Sequence, residues 1–230
     1  MIRIFSYPVK LKKIYLGLAC LLIFCGCAGS NSKEEKTADE LISAGLDYFD
    51  SQKFRKAIDE FEQLKDWYPF SKYAILAELK TADAYFNLEE YDDAIFAYEE
   101  FEQLHPRNEA VPFVLYQIGM SYFNRIGTVD REQTAAKNAL ENFNKLIARF
   151  PDNEYSLKAR TNLQKCYESR AGHDFYVGCF YFKSKHYKAA FARFKAVINN
   201  YPKVDVQPKA LPYLKKCEAF LQQQITKKQE

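Results

Sequence analysis

The sequence predicts an all-α protein, an α-solenoid of about 9–10 helices arranged as four to five repeated helix pairs. The first observation is a motif that recurs four times: an Ala, an aromatic residue four positions later, and a Pro eight positions after that. The second is composition, because Gly and Pro are few and lie mostly near the predicted helix ends. The four copies are Ala57/Phe61/Pro69, Ala94/Tyr98/Pro106, Ala139/Phe143/Pro151 and Ala190/Phe194/Pro202.

Residues upstream of the motif complete a helix–turn–helix pattern. Three copies have a Tyr nine residues before the Ala, and a small residue three positions before that Tyr. These residues are Tyr48, Tyr85 and Tyr181, with Gly45, Ala82 and Gly178. Small residues let two antiparallel helices approach closely, aromatic side chains fill the space between them, and Pro ends the second helix. The pattern resembles the tetratricopeptide repeat, so residues 37–230 are expected to form a tetratricopeptide-repeat solenoid.

The N-terminal residues predict an export signal. A basic leader precedes an apolar run over residues 14–24, which is too short to cross a bilayer. Gly26 and Cys27 follow, and then a polar stretch, an order that resembles a bacterial lipobox. We therefore expect residues 1–26 to be a lipoprotein signal peptide and Cys27 to carry a diacylglycerol and an N-acyl chain. Residues 27–36 would form a flexible tether. The alternative is an ordinary cleaved signal in which Cys27 has no role.

Removal of the leader makes the chain nearly neutral. The basic leader contributes four positive charges, and without it 29 Lys and Arg stand against 30 Asp and Glu. The charge balance therefore gives no reason to expect a nucleic-acid partner.

The repeats are not evenly spaced. The second repeat follows the first at 37 residues, but the second helix of the third repeat is late, with extra residues in 125–134. Such an insertion is expected to project as an interaction loop. After Pro151 the spacing is ambiguous: 155–170 and 173–184 are both helical, and we favour two helices, broken near Ala171-Gly172, over one long bent helix. A last helix over about 208–227 would cap the solenoid.

One face of the first helices predicts a peptide-binding groove. Phe49, Phe86 and Phe123 recur every 37 residues, with apolar side chains beside them and an Asn after the second and third Phe. An apolar groove with a few amides suits an extended peptide with hydrophobic side chains. The alternative is that the aromatic residues only pack adjacent repeats together. The predicted groove comprises Ile42, Leu46, Phe49, Leu79, Phe86, Asn87, Tyr116, Met120, Phe123 and Asn124.

A second set of residues is predicted to dock a partner protein. It combines two charged residues of the insertion with arginines on the later helices: Asp130, Arg131, Arg149, Arg160, Arg170 and Arg193. The alternative for each of them is ordinary solvated surface charge.

Catalytic and metal-binding motifs are not found in the sequence. His105, His173 and His186 lack ligand spacing, and the chain contains no phosphate-binding loop and no Cys-x-x-Cys. We therefore expect neither enzymatic activity nor a metal or cofactor. The three cysteines of the repeat region, Cys166, Cys179 and Cys217, are expected to be buried free thiols. Cys166 and Cys179 would approach each other only if the chain doubled back between them.

Several stretches resemble the BamD/ComL family, the tetratricopeptide lipoproteins of the outer-membrane β-barrel assembly machinery. The resemblance covers nearly the whole chain and fades in the last helix. The stretch 130–134, Asp-Arg-Glu-Gln-Thr, is far more specific than the generic repeat. The similar stretches are Trp67–Ser71, Glu90–Ala94, Leu104–Arg107, Asp130–Thr134 and Phe150–Tyr155.

The resemblance implies a lipid-anchored scaffold on the periplasmic face of the outer membrane. Its N-terminal repeats would bind the C-terminal β-signal of unfolded outer-membrane β-barrel proteins. Its later repeats would dock the barrel insertase of the machinery, in the company of accessory lipoproteins. The alternative is a lipidated tetratricopeptide scaffold that serves cell-wall synthesis or cell division.

Overall fold

The computed structural model describes residues 35–229, with side chains to residue 226, and this part of the chain consists of helices joined by short connections. The predicted signal peptide and Cys27 lie outside the described residues, as does most of the tether. The helices are α1 (Ala38–Asp50), α2 (Phe54–Trp67), α3 (Ala74–Asn87), α4 (Tyr91–Leu104), α5 (Val111–Asn124), α6 (Thr134–Arg149), α7 (Glu154–Lys183), α8 (Tyr187–Asn200) and α9 (Gln207–Gln229). The described residues thus confirm the predicted all-α solenoid of helix pairs.

Packing between helices is local in sequence. Each helix packs against the helices before and after it in the chain, and α5 and α9 also touch α7. The buried residues form successive apolar clusters along the stack instead of one central core. This arrangement is expected of repeats that bury their apolar faces only by stacking on their neighbours.

The repeated motif forms the centre of each helix pair. Phe61, Tyr98, Phe143 and Phe194 are all fully buried. In the first, third and fourth copies the aromatic ring lies against the small residue of the preceding helix. A Cβ atom added at Gly45 or Gly119 would overlap the ring of Phe61 or Phe143, and one added at Gly178 would lie 2.7 Å from Phe194. Glycine is therefore needed at these positions for close approach of the helices.

Substituting Gly119 with Ala should destabilise the fold. The added methyl group would push into the fully buried ring of Phe143, and overpacking of this kind costs about 1–3 kcal/mol. Urea unfolding followed by circular dichroism measures the change. The matched control is Gly127→Ala, because the nearest atom to its added Cβ is the side chain of Arg131 at 3.2 Å, which can move. Equal stability of the Gly119→Ala variant and the parent would contradict the tight contact.

The region after Pro151 differs from our expectation of two helices. Residues Glu154–Lys183 form one continuous helix, α7, of 30 residues. Ala171 and Gly172 are buried in its middle and do not interrupt it. A Cβ atom on Gly172 would lie 2.8 Å from the Cγ1 atom of Val129. The small residues therefore allow the connection between α5 and α6 to pack closely on α7. This packing explains why Ala171 and Gly172 occur in the middle of a continuous helix.

The continuous helix keeps Cys166 and Cys179 too far apart to form a disulfide. Thirteen residues along one helix separate Cys166 from Cys179, which is about 20 Å and too far for a disulfide. Cys166, Cys179 and Cys217 are free thiols, and Cys166 and Cys217 are buried. Burial raises the pKa of the Cys166 thiol to about 12, so this group stays protonated and unreactive.

The last helix, α9, packs mainly on α8 and ends the described chain. Ala210, Tyr213 and Cys217 face the C-terminal apolar cluster, which also contains Phe194. None of the helices in residues 35–229 combines the length and the apolar character that a bilayer-spanning segment requires.

Candidate protein-binding surfaces

The three aromatic residues of the predicted groove are half-buried. Phe49 packs edge-on against Phe54, with ring centroids 5.3 Å apart, and Phe86 packs in the same way on Tyr91 at 5.6 Å. Each of these contacts joins the end of the first helix of a repeat to the start of its second helix. These two ring–ring contacts therefore lie within a repeat, and both residues remain partly accessible to solvent.

Phe123 has a different neighbour because the insertion moves the second helix of its repeat. Its ring lies 6.4 Å from the ring of Phe143, on the following helix. The series has a fourth member that was not predicted, Phe182, which packs edge-on against Tyr187 at 5.6 Å. Phe182 directly follows Tyr181, as Phe49 follows Tyr48, so the one-residue offset from the Tyr was the signal that identifies it.

The other predicted groove residues are distributed over three successive clusters. Ile42 is buried, with 6% of its surface exposed, and the two Asn side chains are exposed. The remaining apolar members, Leu46, Leu79, Tyr116 and Met120, are half-buried. The structure groups Ile42, Leu46 and Phe49 in the first repeat, Leu79 and Phe86 in the second, and Tyr116, Met120 and Phe123 in the third.

Two polar side chains outside the predicted groove, Lys80 and Asn162, lie beside these aromatic rings. The Lys80 Nζ atom is 4.8 Å from the centre of the Phe49 ring and 2.9 Å from an Asp83 carboxylate oxygen. Asn162 on α7 donates to the Tyr116 hydroxyl at 3.4 Å. These contacts place one cation and one amide next to the predicted groove residues.

A second candidate surface lies between α7 and α8. It is an open cavity of about 620 Å³, and two of the predicted docking residues, Arg170 and Arg193, are among its lining residues. The other polar residues around the cavity were not predicted as site residues. They are Gln133, His173, Asp174, Asn200 and Tyr201.

Asp174 organises this cavity. Its side chain is nearly buried, and its two oxygens accept hydrogen bonds from Arg193 Nη1 and from the Tyr201 hydroxyl, both at 2.6 Å. The Arg170 guanidinium lies over the ring of Tyr201, at 5.8 Å from its centre. The cavity is thus lined by one carboxylate and two guanidinium groups, which leaves hydrogen-bonding capacity on the arginines for an acidic group of a partner.

The Tyr201 hydroxyl should make stability depend on alkaline pH. Desolvation and the hydrogen bond to Asp174 raise its pKa to about 12. The unfolded chain releases this proton near pH 10, so the contribution of the group is complete below pH 10 and is lost as the pH rises toward 12. We expect Tyr201→Phe to flatten the fall in unfolding free energy over this range, as measured by urea titrations at several pH values.

Tyr176→Phe provides the control for this measurement, because Tyr176 is half-exposed and lies on the same helix as Asp174. In this control variant the unfolding free energy should fall with alkaline pH as steeply as in the parent. Identical slopes for Tyr201→Phe and the parent would contradict the assignment to Tyr201.

The other predicted docking residues lie apart from this cavity. Arg149 pairs with Glu102 at 2.5 Å, so its charge is engaged within the solenoid. Arg160 is exposed on the first half of α7. Asp130 and Arg131 are exposed in the connection between α5 and α6, and a hydrogen bond from Thr128 lowers the pKa of Asp130. The structure brings together only Arg170 and Arg193 of the predicted set.

The connection over residues 125–133, which the sequence predicts to project as an interaction loop, contacts α7. His173 Nδ1 lies 2.7 Å from the Val129 carbonyl oxygen, and Ser169 donates to Gln133 Oε1 at 3.0 Å. Gln133 also lines the cavity. The insertion thus contributes to the wall of the second candidate surface.

Charge differs strongly between the two ends of the stack. Acidic residues outnumber basic ones by more than two to one in residues 37–110, and basic residues outnumber acidic ones by more than three to one in residues 183–230. The charge near the second surface therefore favours a partner with acidic groups, whereas the charge of the first repeats does not favour such a partner.

The paired helices with a buried aromatic residue at each centre define a tetratricopeptide-repeat protein. The protein-family model described as "YfiO: Outer membrane lipoprotein" matches residues 34–230. Because this match covers most of the sequence, the chain belongs to the YfiO family of outer membrane lipoproteins.

Curated relatives agree with this assignment and confirm the resemblance seen in the sequence. The outer membrane protein assembly factor BamD of Caulobacter vibrioides is 31% identical over 201 residues, which cover 85% of this chain and 65% of that protein. BamD of Neisseria gonorrhoeae is 29% identical over 208 residues, covering 83% of this chain and 78% of that protein. BamD of Rickettsia prowazekii is 28% identical over 196 residues, covering 84% and 78%. The matched region thus spans just under two thirds of the Caulobacter relative.

Among solved structures, the chain is similar to a tetratricopeptide repeat protein from Parabacteroides merdae, with a TM-score of 0.42 and 15% sequence identity. That similarity covers 79% of this chain and 60% of the other.

Proposed function

We propose that this protein is an outer-membrane protein assembly factor, a lipid-anchored periplasmic scaffold and not an enzyme. In this role it binds unfolded β-barrel substrates through its first repeats and docks the barrel insertase and its accessory lipoproteins through its later repeats. The observation that carries the proposal is membership of the YfiO family across residues 34–230. The relatives named as BamD support the same role.

The first repeats suit an extended substrate. A β-signal is a strand with alternating apolar side chains, and the half-buried rings of Phe49, Phe86 and Phe123 recur at one position in three successive repeats. Each ring offers a shallow contact because its other side is packed within its own repeat. Affinity would therefore come from several such contacts at once, which tolerates many different substrate sequences.

The later repeats suit a folded partner that presents acidic groups. Arg170 and Arg193 lie at one cavity, and the surrounding C-terminal residues are predominantly basic. A guanidinium group can bind a carboxylate with two parallel hydrogen bonds, which fixes orientation as well as affinity. We therefore propose that Arg170 and Arg193 receive an acidic group of the insertase.

The peptide-binding half of the proposal is tested with the double variant Phe86→Ala, Phe123→Ala. Loss of two aromatic contacts should weaken binding of a fluorescent β-signal peptide by roughly tenfold or more. The measurement is fluorescence anisotropy, with circular dichroism showing that helicity is kept. Phe96→Ala serves as the control, because Phe96 is an exposed aromatic residue outside the predicted groove. Unchanged affinity in the double variant would remove the groove from the proposal.

Affinity capture from detergent-solubilised envelopes tests the scaffold role as a whole. Recovery of a barrel insertase with the parent chain, and its reduction with Arg193→Glu, is the expected result, because the substitution places a second negative charge beside Asp174. Recovery of peptidoglycan enzymes alone would indicate a scaffold for cell-wall synthesis or division instead.

A further inference from the structure

The connection between α2 and α3 carries an unusual concentration of exposed apolar side chains. Phe70 is fully exposed, at 102% of its reference surface, and Trp67 is 45% exposed. Ile75 and Leu76, at the start of α3, are also exposed. Four of the thirteen large apolar side chains that are exposed among the described residues thus fall within ten residues of one another. Clusters of this kind in a folded protein mark contacts with another apolar surface.

Comparison with the other repeats shows that the fold does not require these side chains. The residue after the motif Pro is Phe70 in the first copy, and charged in the others: Arg107, Asp152 and Lys203. Two residues before that Pro the chain has Trp67, Leu104, Arg149 and Asn200. Only the first connection is apolar at both positions. Since each of the other three connections has a charged residue directly after the Pro and lacks an aromatic pair, a helix pair of this fold can end without Trp67 and Phe70.

The apolar connection lies at the end of the solenoid where the N-terminal tether enters. The Tyr73 hydroxyl donates a hydrogen bond to the Asp39 carboxylate, which places this connection beside the start of α1. Ten residues separate Cys27 from Ala38, and this length of chain reaches at most about 40 Å. A lipid on Cys27 would therefore keep the start of α1, which lies beside the connection, within about that distance of the bilayer surface.

We propose that Trp67 and Phe70 insert into the interfacial region of the outer membrane and orient the solenoid on it. The inference rests on the proposed lipid anchor at Cys27. Trp is the residue type most suited to the boundary between headgroups and acyl chains, and an apolar ring beside it adds buried area. Lys72, with its Nζ atom 4.7 Å from the centre of the Tyr73 ring, is exposed in the same connection and suits a lipid phosphate.

The shape of the connection favours a bilayer over a peptide as its partner. The Phe70 ring projects fully into solvent. A peptide site needs a concave wall that surrounds part of the ligand, whereas a membrane interface takes up a side chain that projects. The lipid anchor also supplies a high effective concentration of membrane, so that a weak contact of two side chains suffices.

Trp67 is the only Trp in the sequence, so its fluorescence reports directly on this contact. The experiment uses the full mature chain, with its lipid, reconstituted into vesicles of phosphatidylethanolamine and phosphatidylglycerol. We expect a blue shift of the Trp67 emission and quenching by phospholipids brominated near the headgroup. Phe70→Ser should lower the ratio of protein with the connection inserted in the membrane to protein with the connection in water by about tenfold. Burial of one Phe side chain shifts such an insertion equilibrium by about that factor or more. The expected readout is a corresponding loss of quenching.

Phe96→Ser is the matched control, since it removes an exposed aromatic side chain from a helix surface and should leave the quenching of Trp67 unchanged. Emission that is neither shifted nor quenched in vesicles would overturn the proposal. It would also be overturned if Trp67 responded to a β-signal peptide without vesicles and not to vesicles without peptide, because the connection would then bind peptide.

Mass spectrometry of the same preparation separates this inference from the proposed function. Absence of acyl chains on Cys27 would contradict the anchor, and vesicles titrated onto that unlipidated chain would still test the connection. A saturable blue shift of Trp67 in this titration supports membrane contact, and constant emission overturns it. Loss of insertase capture with normal Trp67 quenching would count against the scaffold role alone.

Discussion

Replacing Phe143 with Ala is expected to lower the free energy of unfolding by about 3–5 kcal/mol. Phe143 is fully buried in the largest apolar cluster, where its ring contacts Gly119 and lies 6.0 Å from the ring of Tyr116. The close approach of α5 and α6 leaves little freedom for neighbouring side chains to fill the cavity. Chemical denaturation followed by far-ultraviolet circular dichroism gives the value.

Phe96→Ala is the control for this measurement, because Phe96 is 71% exposed and its truncation should change stability by less than about 0.5 kcal/mol. The loss in Phe143→Ala should also make the third repeat open before the rest, since stability in repeat arrays depends on contacts between neighbours. A variant as stable as the control would show that the motif aromatic residue does not support the helix pair.

Replacing Cys27 with Ala is expected to abolish lipidation and to release the protein from the membrane fraction. Acyl chains contribute about 0.8 kcal/mol per buried methylene group, so two or three chains hold a protein on a bilayer and one chain does so only marginally. No helix in residues 35–229 could replace such an anchor by crossing the membrane. Fractionation of envelopes and mass spectrometry of the N-terminal peptide measure the two effects.

Cys20→Ala provides the comparison, because Cys20 lies in the same leader but has little apolar sequence before it. The Cys20 variant should be lipidated and fractionate with the outer membrane. Normal lipidation and membrane association of the Cys27 variant would show that Cys27 is not the acceptor.

The helix pairs were predictable because the residues at their centres repeat in sequence as well as in space. Ala57 and Phe61, for example, are four residues apart, so they lie on one face of α2, and both are fully buried. The same four-residue spacing of Ala and an aromatic residue predicts the corresponding helix in each of the other three copies. A periodic motif of this kind gives the fold without knowledge of tertiary contacts.

The error at Ala171-Gly172 has a tertiary cause. Small residues suit both a break in a helix and the close approach of another segment, and the sequence around them does not distinguish the two. Here Val129 packs against Gly172, 43 positions away in the chain, and α7 continues without interruption. The residues next to Gly172 in the chain carry no information about that distant neighbour.

The candidate sites were predictable only in part, for the same reason. The recurrence of Phe49, Phe86 and Phe123 was visible, but the packing of Phe49 on Phe54 depends on the geometry of the turn between them. The cavity between α7 and α8 depends on Asp174, which binds Arg193 and Tyr201 from elements that follow it in the chain. Only the arginines carried a sequence signal, as scattered positive charge.

The continuity of α7 has a mechanical consequence. At 30 residues it is about 45 Å long, and its two halves belong to different apolar clusters, the first with Ala159 and Cys166 and the second with Phe175 and Phe182. The helix has no break between the part that packs on the third helix pair and the part that packs on the last. The helix therefore links the third helix pair to the last without a flexible point, which would keep the proposed groove of the first repeats and the cavity at Arg170 and Arg193 at a constant separation.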